Sequence, residues 1–143
     1  MNDTPTQKSE PDNAAVALTD QLFDWARHGE TDSLRAPLQQ GQTPDIRDSD
    51  GNTLLMLSSC NGHYETSKLL LEHGADINAV NPEGKTPLML AAVFNHADIV
   101  DLLLINRADA YAKSADGLTA LALARAMGAE LAARRIAQHV ELF

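Results

Sequence analysis

A period of 33 residues constrains this chain more than any other feature. Gly51, Gly84 and Gly117 stand 33 apart, and the triplets Thr53, Thr86, Thr119, then Leu55, Leu88, Leu121, then Leu57, Leu90, Leu123 keep the same step. His63 and His96 repeat once at that spacing. Laying residues 51–83 over 84–116 gives 12 identities in 33 positions, where ordinary residue usage would give about two. Upstream the register is fainter, with Leu22, Gly29 and Gly41 preceding Leu55, Gly62 and Gly74 by one period. A unit this short cannot bury its apolar face alone, so like units must stack, and four of them fit.

Each unit reads as a turn, a helix, a tight reversal, a second helix and a return loop. The turns are Asp48 to Gly51, Asn81 to Gly84 and Ser114 to Gly117, each opening on a short polar side chain and closing on Gly, the pattern of a reversal with positive φ at the last residue. Thr86 then supplies an N-cap hydroxyl and Pro87 sits where its missing N–H is harmless, so a helix starts there. It is apolar at Leu88, Leu90, Ala91 and Ala92 and ends near Asn95, which like Gly62 and Gly128 tolerates the left-handed conformation. Second helices carry the triplets Leu69 to Leu71 and Leu102 to Leu104. At about two turns each, neither helix is stable without its neighbours.

The stretch Gly84 to Ala92, followed by His96, Ile99, Val100, Leu102, Leu103, Ala108 and Asp109, resembles the ankyrin repeat, and Gly51 to Leu57 with His63, Leu69, Leu70 and Gly74 to Ala79 matches the same pattern one unit earlier. The resemblance covers about residues 18–140. It implies an all-α solenoid of stacked helix-turn-helix units with short hairpin loops, serving as a non-enzymatic protein-binding scaffold. The expected division is a polar, disordered tail over 1–13 and one domain over 14–143, made of a capping repeat 18–50, full repeats 51–83 and 84–116, and a closing cap 117–143. An opening helix from Ala14 to Arg27, with Val16, Leu22, Phe23 and Ala26, would close the other end.

Departures from the pattern carry their own expectations. Met56 and Met89 replace a histidine of the family pattern, which removes one inter-repeat hydrogen bond. Arg107 stands where Gly41 and Gly74 stand, so its loop should be the least regular. Pro37, six residues after an expected N-cap at Thr31, should leave its helix short or kinked. The final helix puts Arg134 and Arg135 near positions of buried Leu, giving it a polar outer face.

Chemistry-bearing residues are few. His63 and His96 recur at the repeat period, so they read as structural, while His28, His73 and His139 show no metal-ligand spacing. The lone Cys60 excludes an intramolecular disulfide and has no positive sequence neighbour to activate it. Asp45, Asp48 and Asp50 belong to a turn, and no phosphate loop or nucleophile elbow is present. No catalytic residue, cofactor or metal is expected. With 20 acidic against 11 basic residues the net charge is −9, which repels nucleic acid and anionic lipid. No apolar run reaches the roughly 20 residues of a membrane span. The polar start, Met1 to Pro11, lacks the apolar core of a secretory signal. A soluble, cytoplasmic monomer is the expectation.

What such a stack offers is a surface. Turn tips supply Asp50, Asn52, Glu83, Lys85, Asp116 and Leu118, and the first-helix ends supply Arg27 and His28, Cys60 and Asn61, Val93 and Phe94, then Met127. Phe94 and Met127 with Val93 form an apolar group in adjacent units, which predicts a binding hot spot for a protein partner on the concave side. The opposing expectation is that Phe94 and Met127 fold onto the core. Trp25 either widens this patch or fills the N-terminal cap, with the cap favoured. Blocking an enzyme's cleft, as an inhibitor or immunity-type protein does, is the alternative use of the same face; a metal-dependent catalyst or a bare spacer are the other readings.

Overall fold

The structure is a computed structural model that describes residues 18–142. The expected tail 1–13, with Ala14 and Val16 of the expected opening helix, lies outside the described residues. Eight helices are present among those described: α1 over 18–28, α2 Thr31–Gln39, α3 Leu54–Cys60, α4 Tyr64–Glu72, α5 Pro87–Val93, α6 Ala97–Ile105, α7 Ala120–Ala126 and α8 Glu130–Leu142. Their only described β pairing is a single antiparallel bridge from Arg47 to Thr53 within the first turn.

Two layers follow from the alternation of helix types. The first helices α3, α5 and α7 pack in one row and the second helices α2, α4, α6 and α8 in another, with each α3–α4, α5–α6 and α7–α8 pair folded back on itself. Between the rows lie Leu55, Leu70, Leu88, Ile99, Val100, Leu103 and Ile136, each no more than 1% exposed. Burial of each such side chain contributes about 1.5–3 kcal/mol, which is what lets seven-residue helices persist.

Local signals act as the residues dictate. Thr53, Thr86 and Thr119 cap the first helices, their hydroxyls accepting from the backbone N–H of Met56, Met89 and Ala122 at 3.3, 3.3 and 3.2 Å. Gly51, Gly84 and Gly117 take φ of +81°, +74° and +81°, closing the three turns. Met56 and Met89 are buried, and the Met56 sulfur accepts from Thr53 N–H at 3.4 Å, completing a reciprocal cap inside its own unit.

Three expectations are corrected, that for Pro37 in the length of its helix. Arg107 does adopt φ of +71°, yet its loop is as regular as the one before. Ala108 N–H donates to Leu103 O at 3.0 Å as Ala75 N–H does to Leu70 O at 3.0 Å, and Asp109 N–H donates to Asn78 Oδ1 as Asp76 N–H does to Asp45 Oδ1. The shared hydrogen bonds hold the loop while the arginine absorbs the strain. Pro37 does not shorten α2, which runs nine residues like α4 and α6. A proline removes one donor only, and the buried Leu34 and Leu38 pin the turns on both sides of it. Thr31 is not the N-cap either: Glu30 holds that position without a side-chain bond, and the Thr31 hydroxyl instead meets Thr66 Oγ1 at 2.7 Å.

Candidate partner-binding surface

Successive units are locked to one another through backbone-to-histidine contacts. His63 Nε2 donates to Arg27 O at 2.7 Å, and His96 Nε2 donates to Cys60 O at 3.0 Å. Each imidazole fills the space where a Cβ would stand on the glycine of the preceding unit. A Cβ at Gly29 would come 2.5 Å from His63 Nδ1, and one at Gly62 would come 2.8 Å from His96 Cε1. At the third junction the partners are exchanged. Asn95, at φ of +62°, stands in the glycine's place; its Oδ1 accepts from Ala132 N–H at 2.9 Å, while Ala129 replaces the histidine. The recurrent histidines are thus engaged in stacking.

These locks set a row of first-helix ends, His28, Asn61, Phe94 and Met127, one per unit. Phe94 is 57% and Met127 60% exposed, so neither folds onto the core, and that expectation is corrected. Val93 beside them is half-buried. The Phe94 ring lies 6.4 Å from the His96 ring, tilted by 31°. Trp25 is half-buried and packed against the N-terminal core, as a cap residue.

A second row is formed by the turns, and here hydrogen bonds sort the candidate residues. Asp48 Oδ1 accepts from the N–H groups of Asp50 and Asn52, and Asn81 Oδ1 accepts from those of Glu83 and Lys85. Asn81 Nδ2 then donates to Asn52 Oδ1 at 3.1 Å, and Arg47 Nη1 donates to Val80 O at 2.7 Å, joining consecutive turns. Asn52 is therefore half-buried and spent on the scaffold. Asp50, Glu83 and Asp116 point their carboxylates outward, one at the same place in each turn, and Leu118 is 37% exposed. Lys85 leans on Glu83 at 3.7 Å.

At the N-terminal end, Arg27 bridges Asp24 at 2.8 Å and the nearly buried Asp48 at 3.1 Å. Beside this pair lies a cleft of about 430 Å³ lined by Thr19, Asp20, Phe23, Asp24, Arg27, Arg47, Asp48 and Ser49. Sequence reasoning missed it because its walls, α1 and the first turn, lie about twenty residues apart in the chain. His28 Nδ1 is turned back to Asp24 O at 2.8 Å, and Asn61 Nδ2 to Leu57 O at 2.8 Å. The Cys60 thiol is half-buried and donates to Leu57 O at 3.6 Å. Burial pushes it above its ordinary pKa, outweighing the backbone hydrogen bond and the nearby Arg27 charge that pull it down. A thiol held protonated is a poor nucleophile. No described helix is long and apolar enough to cross a membrane.

A family model described as ankyrin repeats, three copies, matches residues 22–114. A Pseudomonas aeruginosa protein named as an ankyrin repeat protein, PA3287, is 43% identical over 69 residues, which is 48% of this chain and 39% of that protein. The ankyrin repeat domain-containing protein 29 of Danio rerio is 40% identical over 62 residues, 43% of this chain and 21% of that protein. The matched stretch thus spans well under half of either relative. Ankyrin repeats are in general protein–protein interaction modules and typically not enzymes. With a stack of 33-residue units, the turn and cap residues in place and a matching family model over most of its length, the chain belongs to the ankyrin-repeat family.

Proposed function

We propose that this chain is a recognition module, 14–143, closed by capping repeats at 18–50 and 117–143, that binds one protein partner through its concave side. The observation that carries the reading is the exposure of two large apolar side chains, Phe94 at 57% and Met127 at 60%, at the same position of adjacent units. Exposed aromatic and Met side chains set side by side on a rigid support are what an interface core is built from. Their support is rigid because the helices behind them are locked by His96 and Asn95. Val93 and Leu118 extend the apolar area, and Asp50, Glu83, Lys85 and Asp116 form a polar rim. Arg27, His28, Cys60, Asn61 and Asn52 act chiefly by shaping the face, since each is engaged by its neighbours.

The test is affinity capture from the native lysate with quantitative mass spectrometry, comparing the wild type with a Phe94→Glu, Met127→Glu variant shown folded by circular dichroism. A protein held by the wild type and lost from the variant supports the reading. Identical captured sets refute it.

A further inference from the structure

We propose that the C-terminal end of the stack, at Gly128 in the groove between α7 and α8, is a docking site for a helix-turn-helix unit of a second protein chain whose second helix opens on a histidine. Two internal junctions of the molecule show what such a socket takes. Gly29 and Gly62, at φ of +72° and +82°, stand just past a first helix, and two residues before each a backbone carbonyl, Arg27 O or Cys60 O, faces the next unit. The imidazole of His63 or His96 occupies the Cβ side of that glycine and donates to that carbonyl, at 2.7 and 3.0 Å. Each of these histidines is the N-cap residue of its unit's second helix. Where the following unit has Ala129 in the histidine's place, the glycine is replaced as well: Asn95 stands there, and its Oδ1 accepts from Ala132 N–H.

Gly128 restores the socket at the end of the stack. Its φ is +72°, and nothing among the described residues lies within 4 Å of a Cβ built on it. Ala126 O, the carbonyl two residues earlier, accepts no hydrogen bond among those described. A groove of about 190 Å³ lies over this point, lined by Ala124, Arg125, Gly128, Ala129, Glu130 and Ala133. Glycine and alanine walls let another chain approach the backbone closely. An imidazole matches both parts at once, its flat ring covering the bare Cα while its N–H meets the carbonyl, as it does twice within the chain.

Two features of the chain set the source of that unit. After α2, α4 and α6 the backbone turns back at Gly41, Gly74 and Arg107, each with positive φ. One period further on, Val140 lies inside α8 instead, which runs 13 residues where the other three run nine, and it packs against the core. Helix thus replaces the return loop, and an incoming unit belongs to another chain. A second copy of this chain does not supply it. At its exposed N-terminal end Glu30 takes the place of His63 and His96, with a matching backbone, φ −81° and ψ 70° against −87° and 77° at His96, but with a carboxylate that has no proton to donate to Ala126 O.

That matching backbone makes the chain its own probe: a display library of the full chain, with Leu18, Gln21, Glu30 and Ser33 of the first unit randomised, is selected against the immobilised wild type. Enriched clones should carry Glu30→His. Exchanging that change for Glu30→Ala in the same clone should weaken binding about tenfold, and so should Gly128→Asn in the immobilised chain. Asparagine already holds φ of +62° at Asn95, so Gly128→Asn keeps the fold, which circular dichroism checks, while its side chain fills the socket. Phe94→Glu in the immobilised chain should leave the affinity unchanged. No enrichment, enrichment of another residue at position 30, or histidine clones that hold the Gly128→Asn chain as tightly as the wild type overturn the proposal. Clones lost with Phe94→Glu but not with Gly128→Asn overturn it too, and put the binding on the concave side.

Discussion

Replacing Gly62 by Ala tests whether the histidine locks hold the stack. At Gly62, φ is +82° and a Cβ would come 2.8 Å from His96 Cε1 and 3.1 Å from its Nδ1. At Gly128, φ is +72° and nothing lies within 4 Å of the same atom. Both substitutions force an L residue into the left-handed region, costing about 1–2 kcal/mol. At Gly62 the imidazole must also move, stretching the 3.0 Å bond to Cys60 O; stranding that acceptor costs about 1–3 kcal/mol more. The expected losses are therefore about 2–5 kcal/mol for Gly62→Ala and about 1–2 kcal/mol for Gly128→Ala. Urea unfolding followed by circular dichroism measures both, and a double-mutant cycle isolates the lock. With His96→Ala in place, Gly62→Ala should cost only the backbone strain. Equal losses at the two glycines, or a Gly62 loss unchanged by removing the imidazole, would refute the argument.

Three further outcomes are expected. Arg107→Gly relieves a φ of +71°, and after the glycine's own entropic cost it should stabilise the chain by about 0.5–1 kcal/mol, read as a raised urea midpoint. Ser67 meets Ser58 Oγ at 2.8 Å and Ser59 Oγ at 3.4 Å in the core, so Ser67→Ala alone should cost about 1–3 kcal/mol. Combined as Ser58→Ala, Ser59→Ala and Ser67→Val, which copies Ala91, Ala92 and Val100 of the next unit, the change should come back to within about 1 kcal/mol of wild type, because no polar group is left unpaired. Because burial raises the Cys60 pKa, iodoacetamide at pH 8 should label the folded chain more slowly than the urea-unfolded one. By linkage the folded state keeps a proton that the unfolded state releases, so this group's stability contribution is intact below about pH 8.5 and is lost as pH rises beyond it. Cys60→Ser should remove that part of the alkaline loss.

Periodicity alone determined the architecture, because a 33-residue unit with two short apolar helices has no stable form except in a stack of its own kind. Local chemistry likewise determined the caps at Thr53, Thr86 and Thr119 and the positive φ at Gly51, Gly84, Gly117, Asn95 and Arg107, since these depend on a few bonded neighbours. Propensity misread Thr31 and the Arg107 loop, where hydrogen bonds from adjacent units outweighed it, and the length of α2, whose buried Leu34 and Leu38 flank Pro37. The candidate surface was legible as a register of positions, but the register says nothing about which way a side chain turns. Packing between units decided that Phe94 and Met127 stand outward, that Asn52 turns in to Asn81, and that α1 and the first turn enclose a cleft around the Arg27–Asp48 pair. The physical reason is range: turns and caps are set by residues within about four positions, whereas the cleft at Arg27–Asp48 and the turn-to-turn bond from Asn81 to Asn52 join residues 21 and 29 positions apart.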